Sequence, residues 1–487
     1  MTADDGDAYP FICRRAVLAA GLSGWFSSCV PVFAGSNSRS WLAGDHHVHS
    51  RFSGTFVPAE DDGTPAHYDL GTDGIYAISV NARMARKYGL SWLAATDHGG
   101  PGQSHRRAEA AYPALIKSRH EVADLVQFYG MELNTPGGDH SSLIMPIFSG
   151  ERDALLEIEA TYDKNEVYPH DPARDDSGRM IDALRVMRGL SEMPLIFANH
   201  PLRSVTDTGL YRGHSPTELR SWNDAAPDVA VGMEGAPGHQ AAVFIPDPVN
   251  RRGRGLYGKM PTYGGFDAMT AKLGGFWDAM LGEGRHWWIT ANSDSHRNYR
   301  DGGKDFWPGE YAKTYVHARK NSADIFDGLR TGRIFVVTGD LISAMDLTVA
   351  YDGRHAAIGG TLPVRPGAAV TVSIRICVRN TPNASGKIPR LKRVDLIVGQ
   401  MSGPAADKGK DFNSSTKVLR RFFEPNWCRD GEWLTIRCDL PMPETGGYIR
   451  LRGTNTDEME PEPDPPDDNP WHDLWFYSNP VFLTVGA

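Results

Sequence analysis

The chain has 487 residues, 40% of them hydrophobic and 23% charged, which leaves room for two or three domains and excludes a disordered chain or a stapled mini-protein. The formal net charge is −9, from 51 Lys and Arg against 60 Asp and Glu. Nucleic-acid binders carry a basic excess, so no nucleic-acid polymer is expected as a partner. No run of about 20 apolar residues occurs, which excludes a polytopic membrane protein.

Residues 1–34 read as a twin-arginine-like signal peptide. Arg14-Arg15 precede a mild apolar run from Ala16 to Val30, and Val32-Phe33-Ala34 has small-residue cleavage spacing. Cys13, Val17 and the acidic Asp4, Asp5 and Asp7 depart from that pattern. The expectation is a periplasmic or secreted protein with no membrane span once the leader is removed. The sequence sets no oligomeric state.

From residue 41 to 340, short apolar runs alternate with helical stretches. Strands are predicted at 41–47, 92–96, 125–130, 195–198, 229–233 and 287–291, and helices at 75–88, 108–120, 180–187 and 266–280. Repeated β-then-α order implies parallel strands with helical crossovers, and six or more units favour a barrel over an open sheet. From 341 to 487 the texture changes. Strands are predicted at 345–350, 370–378, 391–398, 418–423, 433–438, 448–452 and 481–485, separated by Gly, Pro and Asn/Asp clusters. Arg375, Arg393, Arg450 and Arg452 alternate with apolar neighbours, as on half-buried antiparallel strands, so an all-β, sandwich-like domain is expected. Cys428 and Cys438 flank Arg429-Asp430-Gly431 and are candidates to pair, leaving Cys377 as a buried odd thiol. The acidic, Pro-rich stretch 457–469 reads as a solvated loop, with a Ca²⁺ loop as the alternative.

There are 17 His but 5 Cys, which directs attention to His/carboxylate metal sites. In Asp45-His46-His47-Val48-His49-Ser50, the strand period aims His47 and His49 together and His46 away. On the first strand of a barrel, both would reach its C-terminal mouth. Thr96-Asp97-His98 follows the run 92–95, and Gly130-Met131-Glu132 ends the next strand. His140 lies in a Gly-rich loop, Asn199-His200-Pro201 follows 195–198, and Ser293-Asp294-Ser295-His296 follows 287–291. Each motif alone is weak, but scattered core histidines would not repeatedly choose strand ends. Six imidazoles and two or three carboxylates exceed the roughly four ligands of one zinc. Two or three divalent ions, zinc, manganese or iron, are therefore expected, with Glu132 as the natural bridge.

These elements, in this order from Asp45 to His296, resemble the motif set of the PHP (polymerase and histidinol phosphatase) superfamily of metallohydrolases: D-x-H-x-H-S/T, T-D-H, G-x-E, H, H-P and S-D-x-H. The resemblance implies an α/β chain with a distorted (β/α)7, TIM-like barrel and two or three metal ions. Carried over by position, it implies that His47, His49, Glu132 and Asp294 hold one metal. Glu132, His140 and His200 would hold a second, His98 and His296 would belong to a third, and Asp97 would orient a ligand. This chain has Ser53-Gly54 where the family often has Asp-Gly, and Thr55-Phe56 where many three-metal members have another His. His67, Glu60, Asp61 or Asp62 are candidates to take its place. The leader, the link 329–335 ending in Thr338-Gly339 and the β-rich C-terminal part are also similar to a secreted PHP branch. That branch includes the CehA/McbA-type metallohydrolases, some of which cleave carbamate esters.

The implied activity is hydrolysis of a small-molecule ester, most simply a phosphoester. A metal-bridged hydroxide would attack, available because the ions lower the pKa of water to about 7. Asp97 or His98 would assist as acid or base. Arg203, three residues past His200, and Arg297, beside His296, are candidates to clamp non-bridging oxygens. One alternative is a carbamate or carboxylic ester hydrolase on the same centre, walled by Trp277, Trp287, Trp288, Phe306, Trp307 and Tyr311. The other is a non-catalytic, metal-dependent binding module.

Overall fold

Gly44 sets how the main sheet starts. A Cβ there would overlap the Trp92 ring, so the first strand, Ser40–Asp45, packs directly on its parallel neighbour Trp92–Ala95. The computed structural model of the chain describes residues 38–61, 64–203, 213–245, 253–257, 260–441 and 445–485. The expected leader at 1–34 and the candidate ligand Asp62 lie outside the described residues. Among the described residues, no helix is long and apolar enough to cross a membrane.

From Trp92–Ala95 the sheet continues through Val126–Asn134, His140–Ile144, Leu195–Ala198, Ala230–Ala236 and Trp288–Ala291. Pairing along this path is parallel except at His140–Ile144, which runs antiparallel to both neighbours. Residues 135–139 join it to the preceding strand, a hairpin-length connection too short for the crossover that a parallel strand needs. Helices pack on the outside by their apolar stripes. Ile78–Lys87 buries Ile78, Ala82 and Ala85, and Ser177–Arg188 buries Met180, Ala183, Leu184 and Met187. Pro216–Ala225 opens with a capping box between Ser215 and Glu218. The helix expected at 266–280 is two short ones, Ala268–Ala271 and Phe276–Gly282, parted at Gly274 with φ +74°.

The expected closed barrel is not formed by backbone ladders among the described residues. The ends of the seven-strand path, Ser40–Asp45 and Trp288–Ala291, share no ladder. Their extensions meet at one parallel bridge, Val48 with Ser295, where His49 N donates to Ser295 O at 3.0 Å. The first strand pairs instead with the antiparallel Ala312–Ala318. The Thr314 hydroxyl of that strand accepts from Ala291 N at 2.8 Å and donates to Ala291 O at 2.9 Å. A side chain thus spans the seam that a ladder would close.

The same sheet runs on. Ala312–Ala318 pairs with Ile334–Thr338, which pairs with Trp475–Ser478 and through it with Gly447–Thr454, to make 15 strands in all. A second sheet of five strands includes Ala344–Tyr351, Ala369–Cys377 and Trp433–Pro441. Beyond Leu341 the described chain is strands with one 3-10 turn. Ala369–Cys377 alternates as expected, burying Val370, Val372, Ile374 and Ile376. Arg393, Arg450 and Arg452 do not sit on a solvated face. They are buried, with Arg450 on Asp278 at 2.7 Å and both Arg393 and Arg452 on Asp395. The sheet that carries them is covered on both sides, and paired carboxylates make the buried charges tolerable.

The expected Cys428–Cys438 pair is not made. Cys438 is a buried free thiol opposite Val372, while Cys428 lies opposite Thr435, three residues from Cys438. The stretch 457–469 is not wholly solvated. Asp464 is buried, and the Arg254 guanidinium occupies the place of a cation, 3.4 Å from Asp464, 2.8 Å from Asp468 and 2.5 Å from Asp473.

Candidate metal centre

The first strand ends at Asp45, whose carboxylate accepts from His47 N at 3.0 Å and from Ser293 N at 3.0 Å. The chain stays extended beyond it, so His47 and His49 face the same way and their Nε2 atoms lie 3.0 Å apart. Each ring is held from behind. Glu234 takes His47 Nδ1 at 2.7 Å, and Ser53 Oγ takes His49 Nδ1 at 2.8 Å. Both rings therefore present Nε2 to one point. His46 turns away as its strand position dictates, onto Thr290 at 2.8 Å and flat against Phe197.

Glu132 faces that point from the sheet interior. The expected strand end at Gly130 is four residues early, and Glu132 sits within Val126–Asn134. Its oxygens lie 3.2 Å from His47 Nε2, 3.3 Å from His49 Nε2, 2.9 Å from His98 Nδ1, 3.1 Å from His140 Nδ1 and 3.2 Å from His200 Nε2. Asp294 Oδ1 is 3.1 Å from the Nε2 of both His47 and His49. His296 Nε2 lies 3.4 Å from His98 Nε2. All eight residues expected as ligands thus meet in one cluster.

Four participants escape sequence reading. Glu234, inside Ala230–Ala236, binds His47 and accepts from His200 N at 2.7 Å. His239 places Nε2 3.0 Å from Asp294 Oδ2, with its Nδ1 on Asp305. Asp73 Oδ2 lies 3.2 Å from His296 Nε2 and 3.5 Å from His98 Nε2. Asp73, rather than Glu60, Asp61 or His67, joins these two imidazoles. His67 is exposed and pairs with Asp69 at 3.4 Å. Asn199, given no role of its own beside His200, donates to Glu132 at 2.9 Å.

The other expected residues divide. Asp97 does not enter the cluster. It accepts from Ser50 N at 2.5 Å, Ser50 Oγ at 2.8 Å and Ser53 Oγ at 3.0 Å, so it acts on His49 through Ser53. Arg203 enters, with Nη1 2.6 Å from Asp294 Oδ2. Arg297 points out to solvent, with Nε on the Asp301 carbonyl at 2.6 Å, because the turn after His296 reverses its side chain. Trp277, Trp287, Trp288, Phe306 and Tyr311 are buried core, and Trp307 is half-buried with its ring 4.2 Å from Tyr76.

The backbone is strained at this place. His200, His239 and Asp294 take φ of 28°, 59° and 46°, a region that costs other residues about 1–3 kcal/mol each. Gly238 permits it in part, since a Cβ there would overlap Asp294.

Burial works against every charge here, and at Glu132, Asp294, His47, His140 and His296 the neighbours override it. It would raise the Glu132 carboxyl, yet His140, His47 and His98 hold that group well below the usual carboxylate range. Asp294 is likewise held low, against burial, by His239, His47 and Arg203. Burial would lower His47, but Asp294 and Glu132 raise it well above an ordinary imidazole. Against the same burial, Glu132 raises His140 to about 9, and Asp73 with Asp294 raises His296 to about 9. At His98 burial wins and lowers it to about 4.

Such a set fits divalent cations. Several imidazoles can satisfy these carboxylates without metal only as buried imidazolium ions, which are costly to gather. His140 Nδ1, His200 Nδ1 and Asp294 Oδ1 are buried with no hydrogen bond among the described residues. The donors fall into groups whose ligand atoms lie within 4.8 Å of one another: His47, His49, Glu132 and Asp294; His98, Glu132 and His140; His49, Asp73, His98 and His296; and His239, Asp294 and His296. Nitrogen and carboxylate donors without sulfur suit zinc, manganese or iron.

No family model and no curated protein matches the chain. Among solved structures, the chain is similar to Endonuclease Q in complex with a 27-mer duplex substrate with an abasic lesion at the active site. That match covers 60% of this chain and 56% of that one, at 12% identity and a TM-score of 0.29. A chitin binding domain from Burkholderia pseudomallei matches 26% of this chain and 56% of its own, at 16% identity and a TM-score of 0.14. The chain spans a little over half the length of each. Neither likeness is close enough to bear on function, and what the chain itself contains is a buried His/Asp/Glu cluster able to hold metal ions.

Proposed function

We propose that the chain is a metal-dependent hydrolase of small-molecule esters, with a PHP-like centre. One observation carries the reading. Side chains from six separate segments converge on Glu132 and Asp294, and those behind them, Glu234, Ser53 and Asn199, fix their orientation.

In this reading His47, His49, Glu132 and Asp294 hold one ion, and Glu132, His140 and His200 a second. His98, His296 and Asp73 hold a third. Bound divalent ions supply Lewis acidity and lower the pKa of water. The chain's own groups do the rest. Glu234 and Ser53 aim His47 and His49. Asp97 holds Ser50 and Ser53 in register with His98, whose N donates to Ser53 Oγ at 3.0 Å. Arg203, the arginine that reaches the cluster, binds a non-bridging oxygen of the substrate.

Arg203 favours phosphoesters, which need a cation on those oxygens. The outward turn of Arg297 supports a second reading, carbamate or carboxylic esters, which need less positive charge. A panel of phosphomonoesters, phosphodiesters and carbamates, run with zinc, manganese or iron, tests both. Metal-dependent turnover that is lost in Glu132→Gln supports the hydrolase. A metal-loaded protein that cleaves none of them is a binding module instead.

A further inference from the structure

The cluster reaches solvent at its edge. His47, His49, Glu132 and Asp294 are 0–1% exposed, whereas His98 is 28%, His140 27% and Asp73 41% exposed. A separate groove of about 370 Å³ lies between the hairpin Thr55–Val57/His67–Asp69 and the start of the helical stretch at Gln103, and its lining includes Pro101 and Gly102, three and four residues past His98. This volume lies at the lower end of the roughly 300–1,000 Å³ typical of small-molecule sites. The two places adjoin through one loop. The Tyr68 hydroxyl rests against Gly100, where a Cβ would come within 2.5 Å of it, and Gly100 is two residues from His98.

The lining has a definite chemistry. Phe56 and Tyr68 line it with ring centroids 5.4 Å apart, and Pro101 lines it as well. The ring of the exposed Tyr168 lies 5.1 Å from that of Phe56. The Arg106 guanidinium lies over the Tyr68 ring at 4.9 Å. Arg106 makes no ion pair among the described residues, and its Nε and the Tyr68 hydroxyl are buried without a hydrogen bond there. His105 lines the same space, and Glu109 does so without pairing Arg106.

We propose that this groove is the subsite for one half of the ester, and that this half is a planar ring carrying an anionic substituent. The ring packs against Phe56 and Tyr68, and the anion takes Arg106. This specificity rests on the hydrolase reading above. Water supplies hydroxyl to the acyl or phosphoryl half and a proton to the ring oxygen, so no further reactant is needed.

The test uses the metal-loaded full chain with methyl, phenyl and 4-carboxyphenyl esters of one acid, of the class that the panel identifies. The 4-carboxyphenyl ester should exceed the phenyl ester in kcat/KM by about 10- to 100-fold, the worth of a hydrogen bond to a charged group. R106Q should remove that preference and F56A the preference of phenyl over methyl, with circular dichroism confirming the fold of both. Hydrolysis without a preference for the charged ring, or with one that R106Q leaves intact, overturns the subsite but not the hydrolase. No hydrolysis of any ester overturns both.

Discussion

The Nε2 atoms of His47 and His49 lie 3.0 Å apart, each ring pinned from behind by Glu234 or Ser53. Two pinned nitrogens cannot relax away from each other, and one proton between them is the most they can share. A cation on their common side resolves the conflict. His49→Ala should therefore leave the fold intact, lower the bound metal by one ion per chain and abolish turnover. Elemental analysis beside a substrate assay checks this, and unchanged metal content would remove His49 from the ligand set.

Glu234 touches no predicted ion and acts through His47 and the His200 backbone. Glu234→Gln should lower metal affinity about 10- to 100-fold, as loss of an orienting partner does elsewhere. Titration with a competing chelator reads it. Excess metal should restore turnover in Glu234→Gln but not in Glu132→Gln, which separates the orienting residue from the ligand.

Asp73→Asn addresses the third position alone. His98 and His296 should lose one ion while the two ions on Glu132 remain, so the stoichiometry should fall by one rather than to zero. A loss of all metal would show that Asp73 is no separate ligand.

A pH effect on stability is expected beside the cluster. Burial pushes the Asp163 carboxyl up to about 7, although it accepts from Asn134 N and Asn165 N. Burial likewise raises Glu166 to about 7, against a hydrogen bond from Ser104. The folded chain then holds protons that the unfolded chain releases near pH 4. Their stabilising contribution is complete below that pH and is lost as pH rises through about 7. The Tm of the wild type should fall between about pH 5 and 8, and by less in an Asp163→Asn, Glu166→Gln variant. Parallel slopes would contradict it.

Arg254 should behave as the cation of the acidic loop. Arg254→Ala leaves Asp464, Asp468 and Asp473 without their partner and should destabilise the chain by about 3–5 kcal/mol. Denaturant unfolding measures it. Wild-type protein should show no Ca²⁺-dependent stabilisation.

Much of the site is legible in the sequence because chemistry and position coincide. His47, His98, Glu132, His200 and Asp294 each stand within or just beyond an apolar run that makes a strand. Glu234 is hidden because the run Val229–Met233 stops one residue before it, and a charged residue reads as a strand end. Asp73 and His239 lie in irregular segments with no periodicity, so only tertiary folding brings them in. The strand His140–Ile144 was invisible for a related reason, since Ser141 and Ser142 break the apolar pattern while the hairpin supplies the pairing. Trp475–Ser478 is short, and its partner Ile334–Thr338 lies 137 or more residues away, beyond any local signal.

The most direct measurement is the metal content of the purified full chain, by elemental analysis, together with its hydrolysis of the ester panel before and after chelation. Two or three divalent ions per chain, with turnover that chelation removes and metal restores, is the predicted result. Less than one ion per chain, or turnover indifferent to chelation, would contradict the metal centre on which everything else rests.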